Sequence, residues 1–137
     1  MRFVLDASAT LAWCFEDTAD PAADLALSLL EQGGEALVPG LWRLEVANVL
    51  VVSERRKRLT EADSSRFLGL LQASPIKVAP DRVDVDAILM TARAHGLTAY
   101  DSAYLDLVLR TGLPLVTLDD KLAEAAASSG VTVLGRA

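Results

Sequence analysis

The sequence predicts a three-layer α/β/α sandwich around a central, mainly parallel sheet, and three observations carry that expectation. The strand-like runs are continuously apolar rather than alternating, each leads into residues at helical spacing, and polar residues gather where the runs stop. At 137 residues the chain is the size of one domain, long enough to bury a core without disulfide or metal staples.

Arg2 to Leu5 reads as the first strand, stopping in a turn over Asp6-Ala7-Ser8. Asp20 as N-cap and Pro21 at the first helical position open a helix whose face holds Ala22, Leu25, Ala26, Leu29 and Leu30, and Gly33-Gly34 ends it. Ala36 to Val38, just before Pro39-Gly40, is a second strand. Leu44, Ala47, Leu50 and Val51 then predict a helix packed through that stripe. Thr60-Glu61-Ala62-Asp63 has the form of a capping box and opens a helix carrying Phe67, Leu68 and Leu71. Ile76 to Ala79 is a third strand. Val85, Ile88, Leu89 and Ala92 make the next helical stripe, closed by His95-Gly96. Tyr100 to Leu109 is helical again, with Tyr104, Leu107 and Val108 on one face and Gly112 as its stop. Leu115 to Thr117 and Val131 to Leu134 are the last two strands, on either side of a helix from about Asp120 to Ala127. No linker, repeat or low-complexity stretch divides residues 1–137, so a single domain is expected.

Composition narrows the function. Lys and Arg total 13 against 19 Asp and Glu, so the net charge of -6 repels nucleic acid and anionic membranes, and a polyanion must be met by a local basic patch or by metal ions. One cysteine, Cys14, excludes an internal disulfide and a cysteine-built zinc site, which points to a reducing compartment. No apolar run is long enough to span a bilayer, and Asp6 interrupts the N-terminal apolar stretch, so the cytoplasm is the expected location. The only histidine, His95, excludes a histidine-rich metal site and reads as a helix C-terminal residue.

Acids lie where such a sheet binds ligands. Asp6 follows the first strand and Asp119 follows the strand at Leu115 to Thr117, so both project at the carboxyl edge of the sheet. Glu45, with Asn48 one turn later, lies near the start of the helix after Pro39-Gly40, and Asp101 lies in the first turn of the helix after Gly96-Leu97-Thr98. Taken singly, each has a local explanation as a turn residue, a helix-dipole partner, a solvated position or a cap. Gathered in one crevice, such like charges must take up protons or hold cations. A hard divalent ion with oxygen ligands, Mg²⁺ or Mn²⁺, resolves the repulsion and lets an acidic protein activate water against a phosphodiester.

These motifs, together with their order, resemble the PIN domain, and within it the VapC-type toxin ribonucleases of toxin-antitoxin pairs. The resemblance runs the length of the chain, through Val4-Leu5-Asp6-Ala7-Ser8, Val38-Pro39-Gly40-Leu41-Trp42 with Glu45-Val46-Ala47-Asn48, Leu97-Thr98-Ala99-Tyr100-Asp101 and Leu113-Pro114-Leu115-Val116-Thr117-Leu118-Asp119. It implies a metal-dependent endoribonuclease with Asp6, Glu45, Asp101 and Asp119 as acidic ligands, Asp6 and Asp101 central among them. It also implies polar support from Ser8, Asn48, Ser102 and Thr117, a homodimer, and a cognate antitoxin. Asp120, beside Asp119, is expected to cap the following helix instead.

Arg55-Arg56-Lys57-Arg58, with Arg43, could contact RNA phosphates, although cations at a helix end also complement its dipole. Trp13 and Trp42 could stack on bases, but Trp13 lies beside Cys14 and Phe15 in an apolar stretch that suits the core or a dimer surface. Two other functions compete. A phosphoacceptor receiver domain has similar length and holds Mg²⁺, yet here the first strand ends in a single Asp, the third is followed by Pro80-Asp81, and Lys121 falls inside a helix. A catalytically inactive RNA-binding relative is disfavoured by the full set of acids.

Overall fold

The computed structural model describes residues 1–15, 17, 19–80 and 84–136, so Asp81 and Ala137 lie outside the described residues. The elements run β1 (Arg2–Leu5), α1 (Ala7–Ala12), α2 (Pro21–Glu31), β2 (Glu35–Val38), α3 (Leu41–Arg55), α4 (Glu61–Ala73), β3 (Ile76–Val78), α5 (Val85–His95), α6 (Ala99–Thr111), β4 (Leu115–Val116) and α7 (Asp120–Ser128). The sheet has the order β3-β2-β1-β4 and every pairing in it is parallel. Helices surround it, which is why Phe3, Val4 and Leu5 of β1 and Ala36 and Val38 of β2 are all fully buried although neighbours along a strand face opposite ways.

From β1 the chain builds outward through β2 to β3, then returns to place β4 on the other side of β1. That reversal opens a crevice between the carboxyl ends of β1 and β4, the place where open parallel sheets bind ligands.

Several sequence expectations need correction, among them Leu25 of the α2 stripe and Leu68 of the α4 stripe, which are exposed. The turn expected at Asp6-Ala7-Ser8 is instead the start of α1, because Asp6 has the extended backbone of an N-cap and its side chain accepts the Ala9 N–H. The strand expected at Val131 to Leu134 contributes only one bridge, Val133 to Leu115. Gly130 and Gly135, both at positive φ, turn the chain at either end of that run and leave no length for a ladder. In α3 the core face is Trp42, Val46, Leu50 and Ser53, while Leu44 is 75% exposed and Ala47 and Val51 also face outward. In α5 none of the predicted stripe is buried, and Val85 is 73% exposed. The capping box at Thr60 and Asp63 forms as its spacing predicts. Among the described residues, no helix is long and apolar enough to cross a membrane.

Candidate active site

Asp6 is delivered by strand register. Leu5 pairs with Val116 across β1 and β4, so the next residues, Asp6 and Thr117, meet just beyond the strand ends. Thr117 Oγ1 donates to Asp6 Oδ2 at 2.6 Å, Ser8 Oγ donates to Oδ1 at 2.6 Å, and the Ala9 N–H reaches Oδ1 at 3.1 Å. Both hydroxyls are themselves held, Thr117 Oγ1 by the Asp119 N–H and Ser8 Oγ by the Leu118 N–H, each at 3.0 Å. A hydroxyl that accepts these N–H groups has its single proton left for the carboxylate. Asp6 is only 4% exposed. Burial pushes its carboxyl above the usual range, the bonds from Ser8, Thr117 and Ala9 oppose the rise, and the charge of Asp101 adds to it.

Helices bring the other acids. Glu45 lies near the start of α3, and the Tyr104 phenol of α6 donates to its Oε1 at 2.6 Å. Burial raises the Glu45 carboxyl, the Tyr104 bond opposes, and the charges of Asp6 and Asp101 raise it further. Asp101 occupies the first turn of α6, where Thr98 caps the helix by accepting the Asp101 N–H at 3.1 Å. Burial also raises Asp101, followed by the charge of Asp119, with the Thr98 hydroxyl opposing. Asp119 caps α7 through Oδ1, which accepts the Leu122 N–H at 2.9 Å. Mutual repulsion thus links Asp6 to Asp101, Glu45 to both, and Asp101 to Asp119.

The remaining candidates divide. Asn48 is exposed, one turn beyond Glu45 on α3. Ser102 is buried, but its hydroxyl donates to the Thr98 carbonyl at 2.8 Å, a bond back along α6 and not to an acid. Asp120 does not cap α7: the extended N-cap backbone belongs to Asp119, and Asp120 pairs with Arg136 at 2.8 Å. Arg43 is exposed in the first turn of α3. Arg55 ends α3 and Arg56, Lys57 and Arg58 follow; ten residues at about 1.5 Å each put Arg55 roughly 15 Å along the axis from Glu45. Arg58 lies 4.7 Å over the Phe15 ring and 3.7 Å from Asp17. Trp42 is buried and gives its indole N–H to Thr10 Oγ1 at 2.9 Å, and Trp13 gives its own to the Ala23 carbonyl at 2.8 Å, so base stacking by Trp42 is ruled out by burial. His95 is exposed in the last turn of α5, ahead of a left-handed Gly96.

Sequence reasoning missed Tyr104, Thr98 and Thr10 as polar members of the site and its surroundings. Thr98 was legible as a Thr-x-x-Asp cap, and Tyr104 lies three residues from Asp101 on the same helical face.

Comparison with known proteins meets this geometry: the PIN domain family matches residues 3–128. The chain belongs to the PIN domain family. It is 35% identical to Ribonuclease VapC3 of Pyrobaculum aerophilum over 126 residues, covering 90% of this chain and 94% of that protein. The crystal structure of PAE2754 from Pyrobaculum aerophilum shares the fold, with a TM-score of 0.72 at 24% identity over 100% of this chain and 88% of the other.

A PIN domain acidic pocket raises the question of fit to a cation. Among the described residues, no group of three His, Cys, Asp or Glu side chains is placed to hold a metal ion by direct ligation. The donor chemistry nonetheless suits one: the candidate ligands are all oxygens, and burial together with like charge raises the proton affinity of Asp6, Glu45 and Asp101. Mg²⁺ keeps several waters and takes only one or two carboxylates directly, so it does not need three converged side chains. Oxygen donors of this kind suit an ion held partly through water.

Proposed function

We propose that this PIN domain is an endoribonuclease, the toxin of a toxin-antitoxin pair, and that it hydrolyses RNA phosphodiesters at Asp6, Glu45, Asp101 and Asp119 with Mg²⁺ or Mn²⁺ as cofactor. The observation that carries the reading is Asp6 itself, a buried carboxylate clasped by Ser8 and Thr117 at the β1–β4 crevice and facing the charge of Asp101. Its kinship with Ribonuclease VapC3 over nearly its whole length supports RNA as substrate and an antitoxin as partner.

In this reading Asp6 and Asp101 are the central ligands, with Glu45 and Asp119 contributing directly or through water. When bound, a divalent ion supplies acidity to the attacking water and polarises a phosphoryl oxygen. The protein's own part is orientation. Ser8 and Thr117 direct their protons at both Asp6 oxygens, and the Leu118 and Asp119 N–H groups stop those hydroxyls from turning away. Asp119 has one oxygen engaged by the α7 cap, which leaves Oδ2 for the site. Arg43, Arg55, Arg56 and Lys57 are the proposed phosphate contacts. Arg58 is the weakest of that set, because Phe15 and Asp17 already engage it. The chain acts as a single domain, pairs as a homodimer and works in the cytoplasm.

The test is cleavage of RNA by the purified protein with Mg²⁺ or Mn²⁺, against excess chelator and against Asp6→Asn. Water as nucleophile leaves 5′-phosphate and 3′-hydroxyl ends, and activity falls by orders of magnitude in chelator and in the variant. Full activity in either condition overturns the metal reading. A 2′,3′-cyclic phosphate product would identify the RNA's own 2′-hydroxyl as the nucleophile.

A further inference from the structure

One hydrogen bond joins the two helices that carry acids into the pocket. Glu45 is on α3, while Asp101 and Tyr104 are three residues apart on α6 and therefore share a face. The phenol reaches 59 positions back along the sequence to donate to Glu45 Oε1 at 2.6 Å. The two ends of that bond differ in freedom. Tyr104 is 1% exposed and belongs to the core cluster, so its ring is fixed by packing. Glu45 is half-buried on a long side chain, and a ligand group of that kind gives up rotamer freedom when it engages an ion.

We infer that Tyr104 is a positioning residue for the divalent ion: by holding Oε1 it fixes the Glu45 carboxylate beside Asp6 and Asp101 and leaves Oε2 to the ion or its waters. The inference rests on the metal-dependent reading given above. In this reading Tyr104 acts on the ion through Glu45, as outer partners of metal ligands do. A purely structural reading is distinguishable from this one. If the hydroxyl served only the core, its removal would change folding and leave ion binding alone. Phe retains the ring, and half-buried Glu45 can take water in place of the phenol; Tyr104→Phe also removes the backbone bond between Ala7 and the phenol oxygen, so the Glu45→Gln background is what separates the two bonds.

The experiment titrates Mn²⁺ into the full-length protein by calorimetry, for wild type, Asp6→Asn, Tyr104→Phe, Glu45→Gln and the Tyr104→Phe/Glu45→Gln double variant, with a thermal melt of each in chelator. Tyr104→Phe is expected to fold and to bind Mn²⁺ roughly tenfold or more weakly, the usual effect of losing an outer partner. With Glu45→Gln already present, it should add less than about a twofold loss, because coupled residues are not additive. Wild-type affinity in Tyr104→Phe, or an equal loss in both backgrounds, overturns the inference. So does an unfolded Tyr104→Phe, which would assign the hydroxyl to the core. Asp6→Asn separates the two levels. If it binds Mn²⁺ as tightly as wild type, the metal reading fails and the inference falls with it; if it loses binding while Tyr104→Phe does not, only the inference falls.

Discussion

Thr117 Oγ1 donates to Asp6 Oδ2 at 2.6 Å while accepting the Asp119 N–H at 3.0 Å, so one hydroxyl ties the acid after β1 to the acid after β4. Thr117→Val keeps the shape and removes both bonds. A hydrogen bond to a charged group contributes about 1.5–3 kcal/mol, so cleavage should fall by roughly tenfold or more. The direction in pH also follows. The Thr117 bond lowers the Asp6 carboxyl, so losing it raises that group further, and Asp6 in its proposed role as ligand must be deprotonated to bind metal. The acid limb of the pH–rate profile in Mn²⁺ therefore moves to higher pH. An unchanged limb would show that Asp6 ionisation does not control the rate.

Apart from α1 and the last strand, the order of elements and the acids at strand ends were legible because both follow from local signals: continuous apolar runs, caps and stop glycines. Which side of α3 faces inward was not. Its apolar residues surround the helix, with Leu44 and Val51 outside and Val46 and Leu50 inside, so spacing alone admits more than one stripe. The polar second layer was equally hidden. Tyr104 reads as core, and it is core; its hydroxyl becomes meaningful only when α6 is laid against α3 and meets Glu45. Asp6 shows the same limit in another way, since capping α1 and its proposed role beside Asp101 use one carboxylate and neither excludes the other.

The corrected face of α3 is open to measurement. Leu50 is 4% exposed and Leu44 75%. Leu50→Ala should cost about 2–5 kcal/mol, the range for emptying a packed core position. Leu44→Ala should stay within about 0.5 kcal/mol of wild type. Thermal melts of both variants decide the matter, and an equal loss in the two would place Leu44 in a buried contact.

Thr10 links the same helix to the pocket. It is fully buried, accepts the Trp42 indole N–H at 2.9 Å and donates to the Asp6 carbonyl at 2.9 Å, joining α3 to the start of α1. Thr10→Val leaves that buried indole N–H without its partner, which costs about 1–3 kcal/mol. A domain of this size loses several degrees of melting temperature for such a change. Cleavage should fall as well, because Asp6 and Glu45 are carried by the two helices this contact holds in place. A variant that melts and cleaves like wild type would show that the Trp42–Thr10 contact holds neither.

The pocket should also set how stability responds to pH without metal. The Asp101 carboxyl is raised, mainly by burial and then by Asp119, so between its unfolded and folded pKa values the native state holds more protons than the unfolded chain. Stability from this group is greatest at low pH and declines as pH rises through that window. Asp6 and Glu45 shift the same way, whereas Glu35 and Asp63, both lowered, contribute stability that is lost as pH falls. A difference between variant and wild type removes the opposing groups. Asp101→Asn suits that comparison better than Asp6→Asn, whose new amide would face the protons of Ser8 and Thr117. In chelator at neutral pH, Asp101→Asn should melt above wild type, and the gap should close as pH falls toward about 4, near the unfolded carboxylate value. Mn²⁺ at about 100 times its dissociation constant adds about 2.7 kcal/mol to the wild type and less to the variant. Asp24→Asn, an exposed acid on α2, should do neither. If Asp101→Asn melts like wild type with chelator and with metal at every pH, Asp101 shares no cation site with the other acids.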